Sequence, residues 1–219
     1  TPLYLPVTMT EQPIYRELCH TTTQAFLRKY TGECTPRQEK QFFEGFIRDR
    51  LRHDFEFWAY TCVKIQDKLT KRPIPFSLNR GQRRLVAKFE EMRTAGLPVR
   101  VILVKARQWG GSTATQIYML WLQLFHYHNW HSAIVTQYKQ QAANIRGMIS
   151  RVLAAYPPEV QALSFTGYEG MNGIKYIPQR GCIVGTGSAE NPDALRSFDF
   201  AMLHLSEVGL WRSTLTKNA

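Results

Sequence analysis

Val99-Arg100-Val101-Ile102-Leu103-Val104 runs directly into Lys105-Ala106-Arg107-Gln108-Trp109-Gly110-Gly111-Ser112-Thr113, and the reading of this junction decides the fold. The first six residues are aliphatic at every position but Arg100, the pattern of a strand buried on both faces of a parallel sheet. A strongly apolar helix is predicted from Ser112 to about Phe125. A glycine-bearing loop between such a strand and helix can turn successive backbone N–H groups, and the helix N-terminus, toward a phosphate chain. Measured against G-x-x-x-x-G-K-[ST], the loop keeps Gly110 and Ser112 but has Lys105 at the first glycine position and Gly111 where the lysine belongs. Positive charge is retained at the front of the loop by Lys105 and Arg107, and Ser112 offers a hydroxyl suited to Mg²⁺. The same residues also read as a surface turn whose glycines only permit tight backbone geometry.

Working outward, Ser132 to Thr136 predicts a second strand, and Gln140 to Ala155 a helix that ends before Pro157-Pro158. Strand, loop, helix, strand, helix is the order of an α/β unit with a parallel sheet. Glycines at 167, 170, 173, 181, 185 and 187 punctuate Ile174 to Ile177 and Cys182 to Val184, which predicts an antiparallel hairpin. Phe200 to Leu205 predicts a last buried strand that runs into Ser206-Glu207.

Upstream, Arg80 to Thr94 predicts a helix closed by Gly96 and Pro98, and Asn79-x-x-Gln82 reads as its capping box. The region before it is helical in pattern. One helix is expected from Gln12 to Tyr30, and another opens at Thr35-Pro36-Arg37-Gln38 ahead of Phe42, Phe43, Phe46, Ile47 and Leu51. The apolar series Phe55, Trp58, Ala59, Cys62 and Val63 continues that pattern until Lys71-Arg72-Pro73-Ile74-Pro75 breaks it. The boundary is therefore placed near Pro75, giving a helical region over 1–75 and an α/β core over 76–219.

The 219 residues carry 28 Lys+Arg against 17 Asp+Glu, a net charge of +11, with 44% hydrophobic and 21% charged residues. That mixture buries a core and excludes wholesale disorder. From Arg93 to Pro157 the charged residues are Arg93, Arg100, Lys105, Arg107, Lys139, Arg146 and Arg151, with no acidic residue among them. Such a stretch favours partners that bear phosphate. No apolar run approaches the roughly 20 residues of a membrane span, and Thr1 to Thr10 lacks the order of a secretory signal. A soluble protein with no membrane partner is expected. Cys19, Cys34, Cys62 and Cys182 form no C-x-x-C pair, which fits reduced thiols in a cytoplasm. In the cluster His126, His128 and His131, the two-residue step from His126 to His128 puts those two on different faces of a helix, and the cluster is not expected to hold a metal.

The loop KARQWGGST after one apolar strand and LHLSEVGLW, ending a second apolar strand about 95 residues later, together resemble the ATPase half of the large terminase subunit. That family is the DNA-packaging motor of tailed bacteriophages and prophages. The resemblance spans roughly residues 76 to 212. It implies a P-loop NTPase-type, mostly parallel sheet flanked by helices, with ATP and Mg²⁺ as cofactors. Lys105, Arg107, Gln108, Gly110, Gly111, Ser112 and Thr113 would form the phosphate loop, Glu207 would be the catalytic carboxylate, and Ser206 would take the metal-proximal place beside Ser112. Gln82 matches the position of an adenine-recognising glutamine, although it also fits the capping box. Arg196 matches a charge-stabilising arginine, although an ion pair with Asp193 or Asp199 is equally readable.

The partners implied are double-stranded DNA, the portal protein of the procapsid, the terminase small subunit and further copies in a homo-oligomeric ring, in the cytoplasm of a bacterial host. The family's nuclease domain is not expected in this chain. Two other readings keep the residues and change the job: a helicase-like ATPase, or a non-hydrolysing DNA-binding remnant of a prophage, whose DNA binding would depend on salt and ignore ATP.

Overall fold

The computed structural model describes residues 36–105, 109–165, 167–171, 174–191, 195 and 198–211. The helix expected over Gln12 to Tyr30 lies outside them. The described residues fall into two compact units, one ending at Val63 and resuming over Pro73–Gly111, the other made of Lys64–Arg72 and the residues from Ser112 onward.

The first unit is helical. The single apolar pattern of the sequence is divided at Asp54 into α1 (Pro36–His53) and α2 (Phe55–Cys62). Asp54 is the N-cap of α2, its carboxylate accepting from the Phe57 N–H at 2.9 Å while Arg50 lies 3.5 Å away. Phe55, Trp58, Ala59 and Cys62 form the buried face of α2. Burial raises the Asp54 carboxyl from an ordinary 3.8 to about 6, against the opposing pull of the Phe57 N–H and of Arg50. The folded protein thus holds this proton over a pH range in which the unfolded chain has released it. The stabilisation is present below about pH 4 and is lost as the pH rises through 6, on the order of 2–3 kcal/mol for this group. Asp54→Asn keeps a capping oxygen and removes the titration, so denaturation midpoints measured from pH 4 to 7 should fall less steeply in the variant.

After the three-residue strand β2 (Pro73–Pro75), helix α3 runs over Arg80–Thr94, as the sequence predicts. Its far end is held by Arg93, which donates to the fully buried Glu90 at 2.7 and 2.8 Å. The segment from Val99 to Val104 departs from expectation. It forms no strand, and its side chains are exposed, Ile102 and Val104 almost completely. The physical reason is pairing: a β-branched run becomes a strand only against another strand's backbone, and β2, the strand of this unit, is short and has two prolines without N–H donors.

The second unit holds the sheet. It contains β1 (Lys64–Gln66), α4 (Gly111–Trp121), β3 (Ser132–Thr136), α5 (Lys139–Ala154), α6 (Pro158–Ser164), β4 (Glu169–Met171), β5 (Ile174–Ile177), β6 (Cys182–Ser188) and β7 (Met202–Leu205). The strand order is β4-β5-β6-β3-β7. β3 pairs in parallel with β6 and β7, whereas β5 pairs antiparallel with β4 and β6. The sheet is therefore mixed, not mostly parallel. The predicted hairpin of β5 and β6 is present, and it contributes the antiparallel half. Gly185 and Gly187 on β6 leave room for Leu195, whose Cδ atoms would lie 3.1 and 2.8 Å from a Cβ at those positions.

Helix α4 begins one residue before the predicted start and ends at Trp121, where Leu122–His126 continues as a π-helical turn. Gln123 in that turn is fully buried and fully used: Nε2 donates to the carbonyls of Trp130 and Ile183 at 2.7 and 2.9 Å, and Oε1 accepts from Ser132. α5 packs on β1, β3 and β6 through Ala142, Ile149, Val152 and Leu153. The last strand is shorter than Phe200 to Leu205 and is not buried on both sides. Leu203 and Leu205 are 57% and 46% exposed, whereas Met202, His204 and Ser206 are more covered. Among the described residues no helix is long and apolar enough to cross a membrane.

Candidate functional site

On the first unit, the site starts from the cap of α3. Asn79 Oδ1 accepts from the Gln82 N–H and Gln82 Oε1 from the Asn79 N–H, each at 2.9 Å, which closes the capping box. The same two side chains hold the end of the loop: Gln82 Nε2 donates to the Gly110 carbonyl at 3.0 Å, and Asn79 Nδ2 to the Trp109 carbonyl at 3.3 Å. Gly110 has φ of +82°, a conformation that an L side chain rarely adopts. A Cβ there would also lie 2.7 Å from Gln82 Nε2. The Trp109 ring covers the Cα atoms of Gly81 and Gly111, so both glycines are required by close approach. Beside it, Gly81, Arg84, Leu103, Lys105 and Trp109 line an open cleft of about 410 Å³. Lys105 is exposed. Arg107 and Gln108 lie outside the described residues, as does Arg196.

On the second unit, the parallel strands β6, β3 and β7 end at one edge. Their carboxyl ends carry Ser188 to Glu190, Gln137 to Lys139, and Ser206-Glu207, the edge at which ligands bind in open α/β sheets. Ser206 extends the ladder by donating its N–H to the Val135 carbonyl at 2.9 Å, and its own carbonyl accepts from Trp211 Nε1 at 3.1 Å. Ser112, in the first turn of α4, meets this edge with its Oγ 3.2 Å from Ser206 Oγ. Two residues separated by 94 positions, Ser112 offered to Mg²⁺ by its place in the loop and Ser206 by the resemblance, are thereby brought together. Thr113 follows in the same turn and is half-buried. α4 is held against β7 one turn further on, where the buried Gln116 Nε2 lies 3.1 Å from His204 Nδ1.

Glu207 is exposed, with φ of 58° and ψ of 37° in the left-handed region. A long side chain in that conformation is uncommon and concentrates at functional sites. The 3₁₀ turn Val208–Leu210 closes behind it, with the Leu210 N–H donating to the Glu207 carbonyl at 2.9 Å and the Leu210 carbonyl accepting from Gln137 Nε2 at 2.7 Å. The Glu207 carboxylate accepts from Gln141 Nε2 at 3.3 Å. Glu190 Oε2 accepts from the Lys139 N–H at 3.0 Å at the start of α5. The two hydroxyls are hard oxygen donors of the kind that, together with waters, could hold Mg²⁺.

The sequence reading missed Gln141, Gln116 and Glu190. Gln141 carries a faint signal, standing three residues after Tyr138 as a capping-box glutamine does, but Tyr138 is not a capping residue type. Two of the histidines flagged in the sequence have these neighbours: His126 stands edge-on to Trp121 with ring centroids 4.5 Å apart, and His128 Nε2 is 2.8 Å from an Arg180 guanidinium nitrogen. Trp130 stacks on Tyr127, with ring centroids 3.8 Å apart.

The chain is similar in structure to the large terminase of bacteriophage HK97 in its crystal structure, with a TM-score of 0.52 and 12% sequence identity. The match covers 72% of this chain and 37% of the terminase, so the chain spans little more than a third of that protein's length. At this identity the likeness is one of fold. No protein-family model matches the sequence, and no curated protein matches it.

Proposed function

We propose that this chain is the nucleotide-hydrolysing part of a terminase-like motor, which binds Mg²⁺-ATP at the loop Lys105 to Thr113 and uses hydrolysis to drive double-stranded DNA into a procapsid. The observation that carries the reading is the meeting of Ser112 and Ser206 at 3.2 Å, with Glu207 next in the chain, at the carboxyl edge of the parallel strands. The terminase-like fold supports it.

In this reading the N–H groups of Gly110 to Thr113 and the start of α4 hold the phosphates, with Lys105 and Arg107 adding charge from the front of the loop. Ser112 and Ser206 would hold Mg²⁺, whose chemistry there would be to neutralise phosphate charge. Glu207 orients a water and takes its proton. The water oxygen bonds to the γ phosphorus as the bond to the bridging oxygen breaks, which releases ADP and phosphate. Arg196 stabilises the charge in transit. The proposed partners are duplex DNA, the portal protein, a small subunit and further copies of the chain in a ring.

Gln82 has both ends of its amide engaged by Asn79 and Gly110. It therefore serves the loop, and Gln82→Ala is expected to weaken ATP and GTP binding by the same factor. Loss confined to ATP, in a competition titration of the two nucleotides, would assign it to adenine instead. The motor reading itself is tested by ATP turnover with and without portal-bearing procapsids. Stimulation that requires the portal supports packaging. Full stimulation by nucleic acid alone would point to a helicase-like enzyme, and salt-sensitive DNA binding with no turnover to a binding remnant.

A further inference from the structure

We infer that Gln141 is the positioning residue for the Glu207 carboxylate; the inference rests on the ATPase reading above. Gln141 is three residues past the N-cap of α5, and its amide is oriented from both ends. Oε1 accepts from the Tyr138 N–H at 3.3 Å, which turns Nε2 the other way, onto Glu207 Oε2 at 3.3 Å. The turn below it is fixed as well, since Thr136 Oγ1 donates to the Tyr138 carbonyl at 3.0 Å. β3 and β7 are adjacent parallel strands with Val135 opposite Leu205, and Ser206 continues their ladder. Gln141, in the first turn of α5 after β3, and Glu207, just past β7, thus stand beyond the ends of neighbouring strands, on a frame set by backbone hydrogen bonds.

The consequence is chemical. An exposed glutamate in a left-handed backbone conformation has many side-chain rotamers open to it, and only some can serve a water at a fixed phosphate. One carboxylate oxygen, Oε2, is engaged by Gln141, which leaves Oε1 to accept the proton of the attacking water. A second glutamine, Gln137 in the β3–α5 connection, holds the turn behind Glu207 through the Leu210 carbonyl. The β3–α5 connection and the first turn of α5 therefore hold both the backbone turn and the side chain of Glu207.

Gln141→Glu keeps an acceptor for the Tyr138 N–H but replaces the donor to Glu207 with a second carboxylate, so the helix start is preserved while the positioning contact becomes a repulsion. Gln141→Ala removes both. Each variant is expected to lower kcat for ATP about 10- to 100-fold with KM and nucleotide affinity unchanged, and Gln141→Ala combined with Glu207→Gln should turn over no more slowly than Glu207→Gln alone. A second measurement does not depend on activity: in denaturant unfolding, the losses from Gln141→Ala and Glu207→Ala should sum to more than the loss in the double variant. Glu207-dependent turnover that survives both Gln141 variants would overturn this inference alone, as would strictly additive losses. Absence of any Glu207-dependent turnover would overturn the ATPase reading and this inference with it.

Discussion

Glu207→Gln should lower ATP turnover by about 10²- to 10⁴-fold, the range typical of a lost general base, while leaving nucleotide binding in place. The substitution is isosteric. It retains an oxygen that can accept from Gln141 Nε2, so the turn from Ser206 to Trp211 keeps its hydrogen bonds. What is lost is the negative charge and the capacity to take a proton from water. Ser112 and Ser206 are untouched, so affinity for Mg²⁺-ATP should match that of the parent chain. Single-turnover hydrolysis alongside equilibrium nucleotide titration separates the two effects, and equal turnover in the variant would remove Glu207 from the mechanism. The left-handed backbone adds a second expectation at the same position. Glu207→Gly should also abolish turnover, while relieving up to about 1 kcal/mol of backbone strain, the pattern of a residue retained for function at a cost in stability.

Trp121→Ala should lower the unfolding free energy of the sheet-bearing unit by about 3–5 kcal/mol, the usual range for a large aromatic removed from a packed core. The side chain is fully buried at the end of α4, 5.8 Å from the Tyr118 ring and 4.5 Å from the His126 ring between centroids. It seats the helix whose first turn presents Ser112 to Ser206. Against a typical total of about 5–15 kcal/mol, the variant should unfold at markedly lower denaturant and lose nucleotide binding in parallel. A shift of the midpoint under about 1 kcal/mol would show that the site had collapsed around the gap, or that α4 is held chiefly by its polar contacts to β7.

The elements that sequence pattern located best are those whose signals are local. Asn79-x-x-Gln82 specified the start of α3 because both halves of a capping box lie within one turn, and β3 and the β5–β6 hairpin were bounded by turn residues. The Asp54 break was hidden, because the apolar spacing runs on across it and only a buried cap divides the helix. Val99 to Val104 was misread for a related reason: strand propensity describes a segment, whereas a strand requires a partner edge, and the sequence does not say where one stands. The same limit applies at the site. Ser112 and Ser206-Glu207 could be proposed together from their order after two apolar runs, but the contacts of Gln141 with Glu207 and of Gln116 with His204 join residues 66 and 88 positions apart and leave no mark on local pattern.

The most direct test of the proposed nucleotide site is an equilibrium titration of the chain with ATP, with and without Mg²⁺, repeated on Ser112→Ala. The site described here predicts saturable binding that Mg²⁺ strengthens and that Ser112→Ala weakens about tenfold or more, or about 1.4 kcal/mol. No binding, or binding that neither Mg²⁺ nor the loss of the Ser112 hydroxyl alters, would contradict it.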